Sequence, residues 1–495
     1  MMVRKVLVWA LLAGAVSGYG QELPTMIPIE QDGKWGYCDR DKNMVIPAQF
    51  EFAQPFDGAW AVVWKNGKAG YIDANGKVVV NCRYQRAKPF VNGRALVMQG
   101  QEWHIIDKHG KRLSKPYGYV YDSESGNGDA GLLKTFAVRE GMTCFGWINW
   151  DGKEVVPAEY LLVRPFTNGY SAVMNTDSLW GFCNASGKVV IEPQYTAAHA
   201  FSGGMAQVST DSARKKAFFI NEMGQRVNDS VYTYREDKPV VFSEGLAVAR
   251  MRGYWVYIDH QANVKLQGRF SEADPFVNGK AAVKRKGKYG MIDNTGKQLL
   301  PFEYRLIMPF SEGLAAVGKK NDGFTNMAYL NEDLEVAIPY QFKYSLKLMK
   351  DHMSDMKNGR SIVSYDTGKG IIDSAGREIL APLYHTILGY RNGLTGVRKG
   401  TKWAVVNRDG ELTTELEYGL ITMEKEGPPR VFRKVKIDNM TERREGMVDL
   451  NGREVIEPRF NSITWMGDNL VLVLDKEKNE RYYVDVMGNE FRFAP

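Results

Sequence analysis

A six-residue phrase, KWGYCD at Lys34–Asp39, returns in altered form along the chain: KAGYID at Lys68–Asp73, FGWIN at Phe145–Asn149, LWGFCN at Leu179–Asn184, KYGMID at Lys288–Asp293 and KGIID at Lys369–Asp373. Tandem recurrence constrains the fold strongly, because each copy must form the same small unit and bury its apolar face against its neighbours. A length of 495 residues would otherwise suggest about three domains. Recurrence replaces that division with one continuous array.

The copy at Lys288–Val317 is the most regular. Its segment Tyr289–Asp293 alternates and is rich in β-formers, which predicts a strand. Asp293 and Gly296 take the first and fourth places of a type I turn. Gln298–Leu300 reads as a second strand stopped by Pro301, and Leu314–Val317 as a third after the turn at Pro309–Gly313. Each unit is thus expected to be a three-stranded antiparallel meander.

The Asp/Asn-x-x-Gly turn recurs at Asp73, Asp107, Asn149, Asn184, Asn221, Asp293, Asp373, Asn407, Asp449 and Asp485, and loses its glycine at Asp39, Asp259 and Asn331. That makes about thirteen units spaced by roughly 34 to 42 residues, a period of solenoids and propellers. Glycine inside a strand costs about 0.5–1 kcal/mol relative to alanine, so its repeated use implies close approach by an aromatic ring or by backbone.

These phrases, with the Ile-Pro or Glu-Pro step (Ile46-Pro47, Glu192-Pro193, Glu457-Pro458) and the PFxxG strand at Pro165–Val173, resemble the bacterial WG-repeat, or KWG-repeat, proteins. The resemblance covers essentially everything after the N-terminal segment. It implies an all-β array of repeat-scaffold type and hands over no catalytic residues. Departures include Ala69 at the Trp place, Phe218 at the Gly place and a truncated terminal repeat at about 474–495. Because single propellers close with about 4–8 blades, thirteen meanders are expected to form an open twisted solenoid, with one or two propeller-like rings as the alternative.

The N-terminus reads as a signal peptide over residues 1–20: Arg4 and Lys5, an apolar run Val6–Val16, then small residues before Gln21. Eleven apolar residues fall short of the about 20 that cross a bilayer, so the expectation is an exported chain in the periplasm or at the cell surface. The array then fills 21–495. Cys38, Cys82, Cys144 and Cys183 form no CxxC pair; Cys38 and Cys183 share the motif position of Ile72, which favours free buried thiols, although export leaves disulfides possible. Two insertions interrupt the rhythm. Residues 114–134 read as a long loop with an aromatic flank, Tyr117–Tyr121. Within 343–358, Leu346, Met349, Met353 and Met356 have the spacing of a short helix.

Catalytic and metal-binding patterns do not occur: His104, His109, His199, His260, His352 and His385 fall in different units without ligand spacing, and no cofactor is expected. The glycine and lysine of Gly290…Gly296-Lys297 lack the spacing and the hydroxyl of a phosphate loop. The repeated Asp fits a turn better than a calcium ladder.

One pattern is less neutral. Basic residues cluster between strands at Lys65 and Lys68, Lys215 and Lys216, Lys284, Arg285 and Lys286, Lys319 and Lys320, and Arg398 and Lys399. In a regular stack they would form a ridge for an anionic ligand, although lysine also suits exposed turns. Net charge is +7, or +5 without Arg4 and Lys5, so placement matters more than the total. The sequence therefore points to a non-catalytic binding scaffold of the bacterial envelope, with an anionic-glycan-binding module as the alternative and an envelope hydrolase as the remotest reading. The partner would be an envelope protein or glycan, not nucleic acid.

Overall fold

The repeated Asp shapes the chain locally before any tertiary contact forms. Asp73 Oδ1 accepts the N–H groups of Asn75 and Lys77 at 3.0 and 2.9 Å, while Gly76 N–H closes on the Asp73 carbonyl at 2.9 Å. Gly76 takes φ +77° to do so. Where glycine is missing the turn persists: Lys42, Ala262 and Leu334 occupy the same left-handed position, at φ 65°, 55° and 67°. The carboxylate or amide thus serves the backbone, as expected for a turn former.

In the computed structural model, residues 24–121, 131–213, 216–321, 324–344, 355–365, 367–424, 427–437 and 440–493 are described. Residues 1–20, Lys215 and most of the expected helix, including Leu346, Met349 and Met353, lie outside them; Met356 is buried beside Tyr329 and Phe342. The described residues form thirteen antiparallel sheets, eight of four strands and five of three. They are numbered here in chain order. The stretch read as a loop at 114–134 enters the fourth sheet at both ends, through strands Tyr119–Tyr121 and Leu133–Arg139.

Sheets and sequence repeats are out of phase. The unit beginning at Lys288 gives its first two strands, Lys288–Asp293 and Gln298–Tyr304, to the eighth sheet and its next two, Leu306–Ile307 and Ala315–Asn321, to the ninth. Each complete sheet therefore has four strands rather than the three expected. Pro301 does not end its strand. The ladder jumps from Tyr289↔Tyr304 to Met291↔Leu300, so the proline sits in a bulge that needs no N–H.

That bulge explains the glycine of the repeated phrase. A Cβ on Gly36, Gly181 or Gly446 would stand 2.4, 2.5 or 2.4 Å from the carbonyl oxygen of Ile46, Ile191 or Ile456. Backbone, rather than an aromatic ring, lies against the missing side chain. In the third, sixth and eleventh sheets, where His104, Phe218 and Ala404 replace the glycine, no fourth strand forms; single bridges such as Trp103↔Tyr117 take its place.

Neighbouring sheets bury aromatic and branched side chains between them and are tied by tyrosine hydroxyls. Tyr37, Tyr71 and Tyr257 donate to the carbonyls of Gln54, Lys88 and Asp274, each in the following sheet, at 2.8, 2.7 and 2.8 Å. Tyr483 of the last sheet holds the corresponding place but donates to Ala53 O, 430 residues away, at 3.0 Å. Arg481 beside it reaches Glu51 O at 3.0 Å and lies over the Trp35 and Phe52 rings. Leu470, Tyr483 and Phe491 share one core with Ile27, Trp35 and Tyr37.

These contacts overturn the open solenoid. The thirteen sheets follow one another around a closed, propeller-like ring, and all thirteen belong to it. The usual count of about 4–8 blades did not bound the ring.

Candidate functional site

The described basic residues expected to form a ridge lie at one kind of hairpin, at the end of the second strand or between it and the third, in the sixth, eighth, ninth and eleventh sheets. Several are already engaged. Lys284 pairs with Glu272 at 2.7 Å and lies over Tyr289; Lys319 pairs with Glu303 at 2.6 Å and lies over Tyr304. Arg285 covers Phe302 at 4.0 Å, and Arg398 bonds Thr386 Oγ1 while covering Trp403. Lys216, Lys286, Lys320 and Lys399 are exposed. In this setting the cations shield aromatic faces as well as facing water.

The seventh sheet differs. Its strands are Phe242–Ser243, Leu246–Met251, Tyr254–Ile258 and Val264–Phe270. Val256 stands where other sheets have the repeated glycine, and the glycine has moved across the ladder to Gly268, whose missing Cβ would meet the Phe270 ring at 2.2 Å. Arg269 follows at φ 53°. Among the described residues it is the non-glycine residue with positive φ that lies inside a strand; the others sit in turns. Such a backbone is held against its preference and marks a place where geometry matters.

The kink opens a groove of about 500 Å³ lined by Met251, Arg252, Tyr254, Val256, Gln267, Gly268 and Arg269. A two-residue turn, Arg252-Gly253 at φ 49° and 84°, carries Arg252, and the kinked strand carries Arg269. Both are exposed and take no ion pair or hydrogen bond among the described residues. Tyr254, on the same lining, is 43% exposed. Arg250 and Lys238 lie over the Trp255 ring at 5.7 and 5.1 Å.

Two unpaired guanidinium groups offer planar donor forks to carboxylate, sulfate or phosphate oxygens, and a tyrosine face offers a flat apolar surface. Neither Arg252 nor Arg269 belonged to the expected ridge. The available sequence signal was the loss of glycine at Trp255-Val256 together with its gain at Gln267-Gly268.

No group of three or more His, Cys, Asp or Glu side chains could hold a metal among the described residues. Cys38, Cys144 and Cys183 are buried, Cys82 is half-buried, and all four are free thiols. Burial pushes the thiols of Cys38 and Cys183 up to about 11, which keeps them protonated and unreactive at neutral pH. No helix among the described residues is long and apolar enough to cross a membrane.

No curated protein matches the chain. Among solved structures, the crystal structure of a eukaryotic initiation factor is 10% identical, with 72% of this chain and 95% of that chain covered and a TM-score of 0.34. Kluyveromyces lactis Hsv2 is 10% identical over 56% of this chain and 94% of its own, at 0.26. The extracellular domain of a putative hybrid two component system from B. thetaiotaomicron is 11% identical over 93% and 76%, at 0.21. Scores this low establish no common fold. The family model described as "WG containing repeat" matches residues 35–68, 70–103, 145–177, 180–212, 257–289, 289–322, 370–403 and 446–476, more than half of the chain. With the glycine, the turn and the bulge recurring in the same order around the ring, the chain belongs to the WG-repeat family.

Proposed function

We propose that the protein is a non-catalytic binding module whose seventh-sheet groove holds a segment of an anionic glycan. The observation that carries this reading is the pair of unpaired arginines, Arg252 and Arg269, lining one groove with the exposed Tyr254. An acidic sugar has a carboxylate or sulfate for the guanidinium groups and an apolar ring face for the tyrosine. Export, expected from residues 1–20, would place such a groove among envelope polysaccharides. The exposed lysines Lys286, Lys320 and Lys399 would add weaker, salt-screened attraction for a longer chain.

Binding of acidic and neutral polysaccharides of matched length to the purified protein tests the proposal. Acidic chains should bind and neutral ones should not, with affinity falling as salt rises. Replacing both arginines, Arg252→Ala with Arg269→Ala, should weaken binding about 10-fold to 100-fold. Unchanged affinity in the double variant would sink the reading, and binding of envelope proteins with no glycan binding would replace it by a protein-scaffold role.

A further inference from the structure

Two-residue links between strands repeat one backbone geometry, and in two of them a carboxylate sits on it. Asn66-Gly67, between the second and third strands of the second sheet, takes left-handed φ of 54° and 66°. Glu51 accepts both of its N–H groups, Oε1 from Asn66 at 2.9 Å and Oε2 from Gly67 at 2.7 Å. Asn358-Gly359, at φ 51° and 68° within the Lys357↔Arg360 bridge, donates to Glu312 in the same way at 2.6 and 2.7 Å. Successive N–H groups held like this form an anion-binding nest, and the occupant in both cases is a carboxylate that spans the pair.

Lys286-Gly287 in the eighth sheet repeats this turn, at φ 50° and 77° between the paired residues Arg285 and Lys288. Backbone bonds identify the residue in the place of Glu51: Glu51 N–H reaches the Trp64 carbonyl and Ser271 N–H the Lys284 carbonyl, both at 2.8 Å. Other sheets put an acceptor at that corner. Gln85 Oε1 takes Gly100 N–H at 3.0 Å, His385 Nδ1 takes Gly400 N–H at 3.1 Å and Asn461 Oδ1 takes Lys476 N–H at 2.9 Å. Ser271 does not, and its hydroxyl donates to Lys284 O at 3.3 Å. The N–H groups of Lys286 and Gly287 have no acceptor among the described residues, and both residues are exposed. A Cβ on Gly287 would meet nothing within 4 Å, so the approach is open.

The charge around the turn has the sign an anion needs. Arg285, Lys286 and Lys288 make no ion pair among the described residues. Glu272, next to Ser271, is held by Lys284 at 2.7 Å and by the Tyr289 hydroxyl. Asp32-Gly33 and Glu140-Gly141 share the left-handed pair and carry an acid on the turn itself, where the eighth sheet has Lys286. Exposed N–H groups are met by water, so the turn gains no stability from a ligand by relief of burial. Preorganised donors and local positive charge are what favour a carboxylate there.

We propose that the Lys286-Gly287 turn binds the carboxylate of a uronic acid residue, one oxygen on each N–H, in the charge of Arg285, Lys286 and Lys288. This rests on the anionic-glycan reading and names its acidic group. Glucuronate is the probe, with glucose and sodium sulfate as controls for the sugar ring and for charge alone. In the full chain, isotope-labelled at lysine and glycine, glucuronate should move the Lys286 and Gly287 amide resonances in a saturable way, and the controls should not. Ser271→Glu supplies internally the carboxylate that Glu51 supplies in the second sheet. It should raise the thermal midpoint and weaken the glucuronate response about tenfold or more, whereas Ser271→Ala should keep it within about twofold. Arg252→Ala with Arg269→Ala should leave the response at these two amides in place. Unmoved amides, equal shifts with sulfate, or an undiminished response in Ser271→Glu would overturn the inference even where acidic polysaccharides bind. Loss of polysaccharide binding with the amide response kept would overturn the groove instead.

Discussion

At the residue scale the repeated phrase divides into parts with separate physical duties. Glycine makes room for a bulged backbone, and the cost of adding a methyl group should follow the distance it meets. Gly181→Ala puts a Cβ 2.5 Å from Ile191 O and should cost about 2–4 kcal/mol, whereas Gly290→Ala meets Leu300 O at 3.0 Å and should cost clearly less. Urea midpoints of the two variants check the order. Trp180, buried among Phe182, Ile191 and Phe201, should cost about 3–5 kcal/mol as Trp180→Ala; an unchanged midpoint would remove it from the core. Conversely, Lys42 holds a left-handed position at φ 65° that glycine fills without strain, and Lys42→Gly should gain about 1 kcal/mol. His199 supplies the pH dependence. Burial, then the Arg164 charge, lower its pKa to about 4, with Glu236 and the Arg235 backbone acting in the opposite direction. The unfolded chain then binds the proton first as pH falls, so stability is full above about pH 6.5 and declines toward pH 4, by up to about 3 kcal/mol. A flatter stability profile for His199→Gln over that range is the expected result.

At the element scale much was legible in the sequence, because turns and strands are decided by neighbours a few residues apart. The Asp-x-x-Gly turn needs only one carboxylate or amide oxygen and two nearby N–H groups, and it keeps its form even where Lys42, Ala262 or Leu334 replaces glycine. The phase of the sheets was not legible. A repeat can be cut at any point in a periodic sequence, and only inter-strand pairing shows that Lys288–Asp293 and Ala315–Asn321 belong to different sheets. The groove was hidden for a related reason. Arg269 looks like an ordinary exposed strand residue until Gly268 and its positive φ reveal a kink. Restoring glycine at Val256 would not rebuild the common bulge, since its partner strand pairs Val256 with Gln267 in another register.

At the scale of the whole molecule, closure rests on side chains 430 residues apart, and no local periodicity encodes the small rotation between sheets that brings them together. Among the described residues the first sheet has three strands without the short leading strand of the complete sheets, and the last sheet meets it by packing apolar faces. Weakening that seam should loosen the ring there first. Arg481→Ala combined with Tyr483→Phe should speed amide hydrogen exchange in residues 27–72 and 470–491 while leaving the fifth to eighth sheets unchanged. Ile27 and Phe491 lie in one core, so the first and last strands are neighbours in space. A ring of this kind has no privileged starting point: joining the ends with a short linker and opening the chain at the single-residue corner Gln85, between the second and third sheets, should give a circular permutant with the same fold.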